Sequence, residues 1–312
     1  MRRRDFLGAL AVGLLVPTVQ LPPLRRRQEC LVERWSWAMG QTVHLQLFAE
    51  SEAAGYAAAQ AALSELRRVE QRLSLFDDTS ELCELNRRAG RASLTADSDL
   101  STVLTAALRF QGVSGGAFNP AIEPLMRAWG FHRGRTAEPS AAEIAEARQA
   151  ALAARIVIHG PRLALPSCET QLDLGGIGVG YGLDRMASVL RRMGIERAFL
   201  DVSGDCLALG APPGEAGWLV DIADPRRPGQ TIASTRLRDM ALATSSNTVS
   251  VVRYGRAVRG HVINPETGWP ADGVTQVSVV ARTGIEADAL STAMLVSGRR
   301  CRGVLRSYEV RL

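Results

Sequence analysis

Apolar residues recur at helical spacing through residues 52–75, where Ala59, Leu63, Leu66, Val69 and Leu73 fall on one face. Positions three and four apart are neighbours on a helix, so this stretch predicts a helix with one buried side. The same period marks residues 98–111, behind Asp97 or Asp99, and residues 140–155, where Ser140 followed by Glu143 reads as a capping box. Residues 183–193 and 286–296 complete five predicted helices. Strand character appears at residues 43–48, 197–202, 218–222, 231–237, 248–254 and 275–280. Strands clustered in the second half, with helices around them, predict an α+β fold: a largely antiparallel sheet flanked by helices. No repeat or linker interrupts the pattern, so residues 28–312 are expected to form a single domain.

Composition changes this picture mainly at the N-terminus. The 312 residues carry 37 basic and 32 acidic side chains, and every basic one is arginine. A chain without lysine cannot form a pyridoxal Schiff base or a Walker A phosphate loop, and has no lysine general base. Six of the arginines and one aspartate lie within residues 1–27, so the remainder is balanced at 31 of each sign. A nucleic-acid surface would need its basic residues in the folded domain, and none is expected. Met1 to Leu7 instead reads M-R-R-R-D-F-L and is followed by an uncharged run, the pattern of a twin-arginine export signal. Residues 1–27 are therefore expected to be a signal segment and the only membrane contact. The protein is expected in the periplasm or exported, in association with the inner membrane. Five cysteines, widely spaced and without C-x-x-C, predict buried thiols rather than a zinc site or disulfide framework.

Several motifs carry candidate chemistry. The run Gly175-Gly176-Ile177-Gly178-Val179-Gly180-Tyr181-Gly182 precedes a predicted helix but never gives G-x-G-x-x-G, which argues against a Rossmann site. Gly112-Val113-Ser114-Gly115-Gly116 matches a nucleophile elbow, yet the residues before it read as helix where the elbow needs a strand. Asp288 and Thr292 are four apart, so on a helix their oxygens project from one face. Such a pair suits Mg²⁺ if carbonyls, waters and a phosphate complete it, but spacing alone favours the plainer reading, in which Asp288 caps or solvates the helix start and Thr292 is packing. His261 opens a Pro/Gly turn at a strand end, where a general base is a natural role; His44, His132 and His159 have no comparable setting.

In order along the chain, these segments resemble the ApbE family of FAD:protein FMN transferases. The blocks are Met39-Gly40-Gln41-Thr42; Phe76-Asp77-Asp78-Thr79-Ser80-Glu81-Leu82 with Asn86; and Gly115-Gly116-Ala117-Phe118-Asn119-Pro120 with Pro124 and Trp129-Gly130-Phe131. They continue with Leu172-Asp173-Leu174-Gly175-Gly176-Ile177, Tyr181 and Asp184, then Asp201-Val202-Ser203-Gly204-Asp205. Thr244-Ser245, the turn from His261 to Gly268, and the Asp288 and Thr292 pair complete the set.

The resemblance implies that Met39 and Phe76 contact FAD, that Ala117, Phe118 and Asn119 line the same cleft, and that Asp173 binds the flavin nucleotide. Val179 and Val262 occupy two further FAD-contact positions. Gly176 would offer a carbonyl to Mg²⁺, with Asp288 and Thr292 as side-chain ligands and His261 as base. The implied reaction transfers FMN from FAD to a Thr or Ser of an acceptor flavoprotein subunit in a membrane or periplasmic electron-transfer system, releasing AMP. A non-catalytic periplasmic FAD-binding protein and a Mg²⁺-dependent FAD pyrophosphatase are the alternatives. This chain departs from the family pattern at Val179, where Lys or Glu is usual, and at Asn119 and Asn264, where Asp is usual. Ser246-Asn247 also stands where Gly-Asp is common. Only 14 residues follow Gly298, which predicts that a last strand common in the family is missing.

Overall fold

The fold is described from a computed structural model covering residues 29–132 and 134–311. The expected signal segment lies outside the described residues.

The chain opens with a hairpin of β1 (Cys30–Ala38) and β2 (Gln41–Ala49), followed by α1 (Glu52–Leu73), α2 (Glu81–Arg87), β3 (Leu94–Thr95), α3 (Ser98–Val113), α4 (Glu123–Ala128) and α5 (Ala141–Ala153). Then come β4 (Val157–His159), β5 (Arg162–Ala164), α6 (Gly178–Arg192), β6 (Arg197–Val202), β7 (Asp205–Leu209), β8 (Trp218–Ala223), β9 (Thr231–Leu237) and β10 (Met240–Ser246). The chain ends with β11 (Val251–Tyr254), β12 (Ala257–Gly260), β13 (Val274–Ala281), α7 (Gly284–Ser297) and β14 (Arg306–Arg311). Seven strands form one sheet in the order β1-β2-β6-β7-β10-β13-β14, and every neighbouring pair is antiparallel. The predicted α+β class, an antiparallel sheet flanked by helices, is what the chain adopts.

Alternation places Val43, Leu45 and Leu47 of β2 on one face of the sheet, all fully buried. They pack with Ala59, Leu63 and Leu66 of α1, Leu183, Met186 and Leu190 of α6, and Leu200 of β6. The opposite face is covered by the β8–β9 hairpin, whose Trp218, Ile222 and Leu237 meet Cys206, Ala208, Leu242 and Val280. Strand β13 is buried at all eight positions, so it shows no alternation, and its polar Gln276 and Ser278 are satisfied by the Ala223 carbonyl and the Thr244 hydroxyl.

The structure corrects several boundaries. The first helix ends at Leu73 rather than 75, because Ser74 turns extended and its carbonyl accepts the Ser80 hydroxyl at 2.6 Å. Helix α5 spans Ala141–Ala153 rather than 140–155, with Ser140 and Glu143 forming the expected capping box. Helix α6 begins at Gly178, five residues before the predicted start, so half of the glycine run is helical. The last strand, expected to be missing, is present: β14 pairs with β13. The thiols are also not uniformly buried. Cys83 and Cys206 are buried, Cys168 is exposed, and all five are free.

Candidate active site

Helices α6 and α7 cross close together at their N-terminal ends, and glycine makes the approach possible. A Cβ built on Gly180 would lie 2.2 Å from the Gly284 carbonyl oxygen and 2.7 Å from Asp288 Cβ. The close approach lets the Gly180 N–H donate to Asp288 Oδ2 at 2.9 Å. A Gly180→Ala variant is therefore expected to lose about 1–3 kcal/mol of stability. Denaturant unfolding checks this, and an unchanged midpoint would show that the two helices separate without cost.

Helix α7 is fixed from outside as well as from its own cap. The Thr283 hydroxyl accepts from the Glu286 N–H, while Asp184 of α6 accepts from Gly284 and Ile285 at 2.7 and 2.9 Å. Burial pushes the Asp184 carboxyl up to about 6.

With the cap supplied by Thr283 and Asp184, Asp288 does not serve as a solvated helix start; it is 5% exposed. Burial, and then the nearby carboxylate of Asp205, push the Asp288 carboxyl well above the usual carboxylate range, so it holds its proton more tightly. Asp205 is itself raised to about 7, chiefly by desolvation and then by Asp201. Neither Asp288 nor Asp205 has an ion-pair partner among the described residues. Hydroxyls surround the pair: Ser245 Oγ lies 2.8 Å from Ser291 Oγ and 3.2 Å from Thr292 Oγ1. Gly176 abuts them, since a Cβ there would be 3.0 Å from Thr292 Oγ1 and 3.5 Å from the Phe118 ring. Asp288, Thr292 and Gly176 are thus brought together as expected. Ser245 and Asp205 belong to motifs that the resemblance covers, but neither was singled out. Their role emerges only when β7 and β10 meet α7.

Like charges held together in a poorly solvated setting need either protons or a cation. An oxygen-only set of carboxylate, hydroxyl and carbonyl is what a hard divalent cation takes. Among the described residues no three His, Cys, Asp or Glu side chains converge to hold a metal. A cation here would be completed by Thr292, backbone and ligand oxygens, and the donor set fits Mg²⁺ on those terms.

His261 lies on the loop between β12 and β13, with its backbone N–H bonded to the Ser250 carbonyl at 3.1 Å. Its ring meets Phe131 edge-on at 6.4 Å, and its Nδ1 is buried with no hydrogen-bond partner among the described residues. Burial lowers its basicity below the ordinary 6.5, against smaller opposing effects of the Ser250 bond and Asp173. The ring is therefore neutral at pH 7 and able to take a proton. The turn behind it is tied down from two sides. Trp129 Nε1 donates to the Gly268 carbonyl at 2.8 Å, and Asn264 Oδ1 accepts from Glu266 and Thr267. Asn264 thus makes the turn-forming bonds that an aspartate, of the same length, commonly makes.

The remaining predicted residues divide into those facing open space and those spent inside the protein. Phe76 is 80% exposed and stands beside a cavity of about 870 Å³, whose wall includes Glu123, Arg127, His132 and Arg135. Met39 occupies the β1–β2 turn with φ 54°, a left-handed conformation rare outside glycine. Its thioether packs on Gly182, at 3.1 Å from where a Cβ would sit. Asp173 is fixed at both oxygens, Oδ1 by the Gly175 N–H at 2.7 Å and Oδ2 by His132 at 3.3 Å. Phe118 is buried, and Ala117 packs at the edge of the same cluster. Asn119 spends its amide on the Ala151 carbonyl and the Ala121 N–H, which makes it a loop brace. Val179 packs against the α1–α6 core, and Val262 is buried with its N–H on Asn247 Oδ1 at 3.2 Å. The elbow-like Ser114 is the C-cap of α3 and receives the Phe118 N–H. That confirms the argument against a nucleophile elbow. His132 corrects the sequence reading: it has a setting as defined as that of His261, between Asp173 and Glu123.

Fold and site together define an α+β protein with an oxygen-lined candidate cation site and a histidine whose ring Nδ1 is buried. The chain belongs to the ApbE family, whose model matches residues 39–310. It is 33% identical to the FAD:protein FMN transferase of Treponema pallidum over 278 residues, covering 83% of this chain and 77% of the relative. The FAD:protein FMN transferase of Vibrio cholerae is 27% identical, across 95% of this chain and 88% of that protein. Among solved structures, the ApbE protein of Thermotoga maritima superposes with a TM-score of 0.78 at 28% identity, covering 86% of this chain and 87% of that one.

Proposed function

We propose that the chain is a Mg²⁺-dependent FAD:protein FMN transferase, which attaches FMN from FAD to a threonine or serine hydroxyl of an acceptor protein and releases AMP. The observation that carries this reading is the Asp288 carboxylate, buried at 5% exposure beside the half-buried Asp205, with no ion-pair partner among the described residues and with Thr292, Ser291 and Ser245 joined hydroxyl to hydroxyl next to it. The activity that the Treponema and Vibrio relatives are named for supports it.

Asp288, Thr292 and the Gly176 carbonyl would hold Mg²⁺, which when bound supplies charge neutralisation for the pyrophosphate and for the departing AMP. The flavin would lie along Met39, Phe76, Ala117 and Phe118, with Asp173 fixing the flavin nucleotide. Neutral His261 takes the proton from the attacking hydroxyl. The hydroxyl oxygen then forms a bond to the FMN phosphorus, and the bond from that phosphorus to the AMP oxygen breaks. The product is a phosphoester, and the flavin is carried through without a change of oxidation state. The export-type segment at residues 1–27 supports a reaction in the periplasm, on an acceptor subunit of an electron-transfer system.

Incubating the protein with FAD and Mg²⁺, with and without a threonine-bearing acceptor peptide, tests the reading through AMP. AMP that appears only with peptide supports transfer. AMP at the same rate without it indicates a pyrophosphatase, and intact bound FAD in both samples indicates a binding protein.

A further inference from the structure

We propose that His132 is a positioning residue for the flavin nucleotide: it clamps the Asp173 carboxylate and stands edge-on to Phe76, so that both present a fixed surface to the cleft. The proposal rests on the reading of that cleft as an FAD site.

The clamp is built from the segment that follows α4. Trp129 is fully buried and anchored to Gly268, Phe131 reaches the ring of His261, and His132 points to the other side. Its Nε2 lies 3.3 Å from Asp173 Oδ2, its Nδ1 3.8 Å from Glu123 Oε1, and its ring meets Phe76 edge-on at 5.6 Å. The Gly175 N–H holds the other Asp173 oxygen at 2.7 Å, and the Asp173 N–H donates to the Pro120 carbonyl at 2.9 Å. With both oxygens taken, the carboxylate cannot rotate. Only 14% of the His132 side chain is exposed, against 11% for Asp173 and 9% for Glu123, so all three groups act on one another with little screening.

Charge follows from the same geometry. Burial alone would favour the neutral ring, but Asp173 and Glu123 outweigh it and push His132 up to about 9. At neutral pH an imidazolium therefore sits between two carboxylates, and with Glu123 it lines the cavity beside Phe76, while Asp173 lies behind it. The other groups facing it are Arg127, which pairs with Glu123 at 2.6 Å, and His261, which acts on Asp173 from the turn after β12. Arg135 is committed to Glu143 and to the Ala128 carbonyl. Without His132, Asp173 would be free to turn and both carboxylates would confront the FAD phosphates with Arg127 alone to offset them.

The test uses the full chain and its His132→Phe and His132→Gln variants, with FAD binding followed by flavin fluorescence and transfer followed by KM and kcat. His132→Phe keeps the ring contact with Phe76 but removes the clamp, so the FAD Kd and KM should rise about tenfold with kcat within about twofold. His132→Gln can still donate to Asp173 without charge and should fall between the two. Raising the pH through about 9 should weaken FAD binding by the wild type and leave His132→Gln flat. Should the phenylalanine variant melt early, the glutamine variant's pH profile decides alone. Wild-type affinity in the variants, a loss confined to kcat, or a flat wild-type pH profile overturns the role of His132. A wild type that binds no FAD instead overturns the reading of the cleft on which the role depends.

Discussion

Replacing Asp288 with alanine is expected to reduce Mg²⁺-dependent transfer by roughly a thousandfold or more, because the carboxylate is the only anionic ligand proposed for the cation. The fold should tolerate the change. The substitution orphans the Gly180 N–H bonded at 2.9 Å, a cost of about 1–3 kcal/mol, but it also removes a buried carboxyl from beside Asp205. The apo melting temperature should therefore move little, while the rise in melting temperature that Mg²⁺ gives the wild type should vanish. The paired readouts matter, since a variant that kept the Mg²⁺ shift and lost activity would place Asp288 in chemistry rather than in metal binding. Unchanged activity would remove Asp288 from the site altogether.

The second large effect is expected at His261. Changing it to glutamine should lower kcat by about 10²–10⁴-fold, the usual range for a positioned base, with FAD affinity largely kept. The pH dependence follows from the burial of the ring. A base must be neutral, and burial moves the charged form of His261 below the ordinary histidine value of 6.5. Wild-type kcat should thus hold level from neutrality down past that value and fall only at lower pH. The acid limb should be absent from the residual activity of His261→Gln. A wild-type limb above 6.5 that persists in His261→Gln at saturating Mg²⁺ would assign the limb to another group, with the raised carboxyls of Asp205 and Asp288 the nearest at hand.

The α+β class and the flanking helices are legible because α1 carries a single apolar stripe, α5 a capping box, and β2 alternates cleanly. In the seven-stranded sheet β1, β7, β10 and β14 escape that pattern, and for two of them the physical reason is plain. Strand β1 exposes Leu31, Trp35 and Trp37 on one face while its other face mixes Val32 with Arg34, so neither face reads as core. Strand β10 is made largely of small residues, and its Ala241, Leu242 and Ala243 are buried in succession, which erases the period of two. The early start of α6 is hidden because its glycines serve a close helix crossing rather than helix propensity. Asp288, Thr292 and His261 are legible in their motifs. Asp184 as the cap of α7, Ser245 against Thr292, and His132 on Asp173 are not, because each depends on a partner more than 40 residues away in sequence.

The departures at Asn119 and Asn264 lose weight once their bonds are seen, since each amide braces a loop through backbone partners. Val179 packs into the α1–α6 core.

The most direct test of the account is the intact mass of a threonine-bearing acceptor peptide after incubation with the protein, FAD and Mg²⁺. The account predicts a peptide heavier by one FMN joined as a phosphoester at the threonine, with an equal amount of AMP, and no product when Mg²⁺ is chelated. A peptide of unchanged mass beside an enzyme that binds both FAD and Mg²⁺ would contradict it.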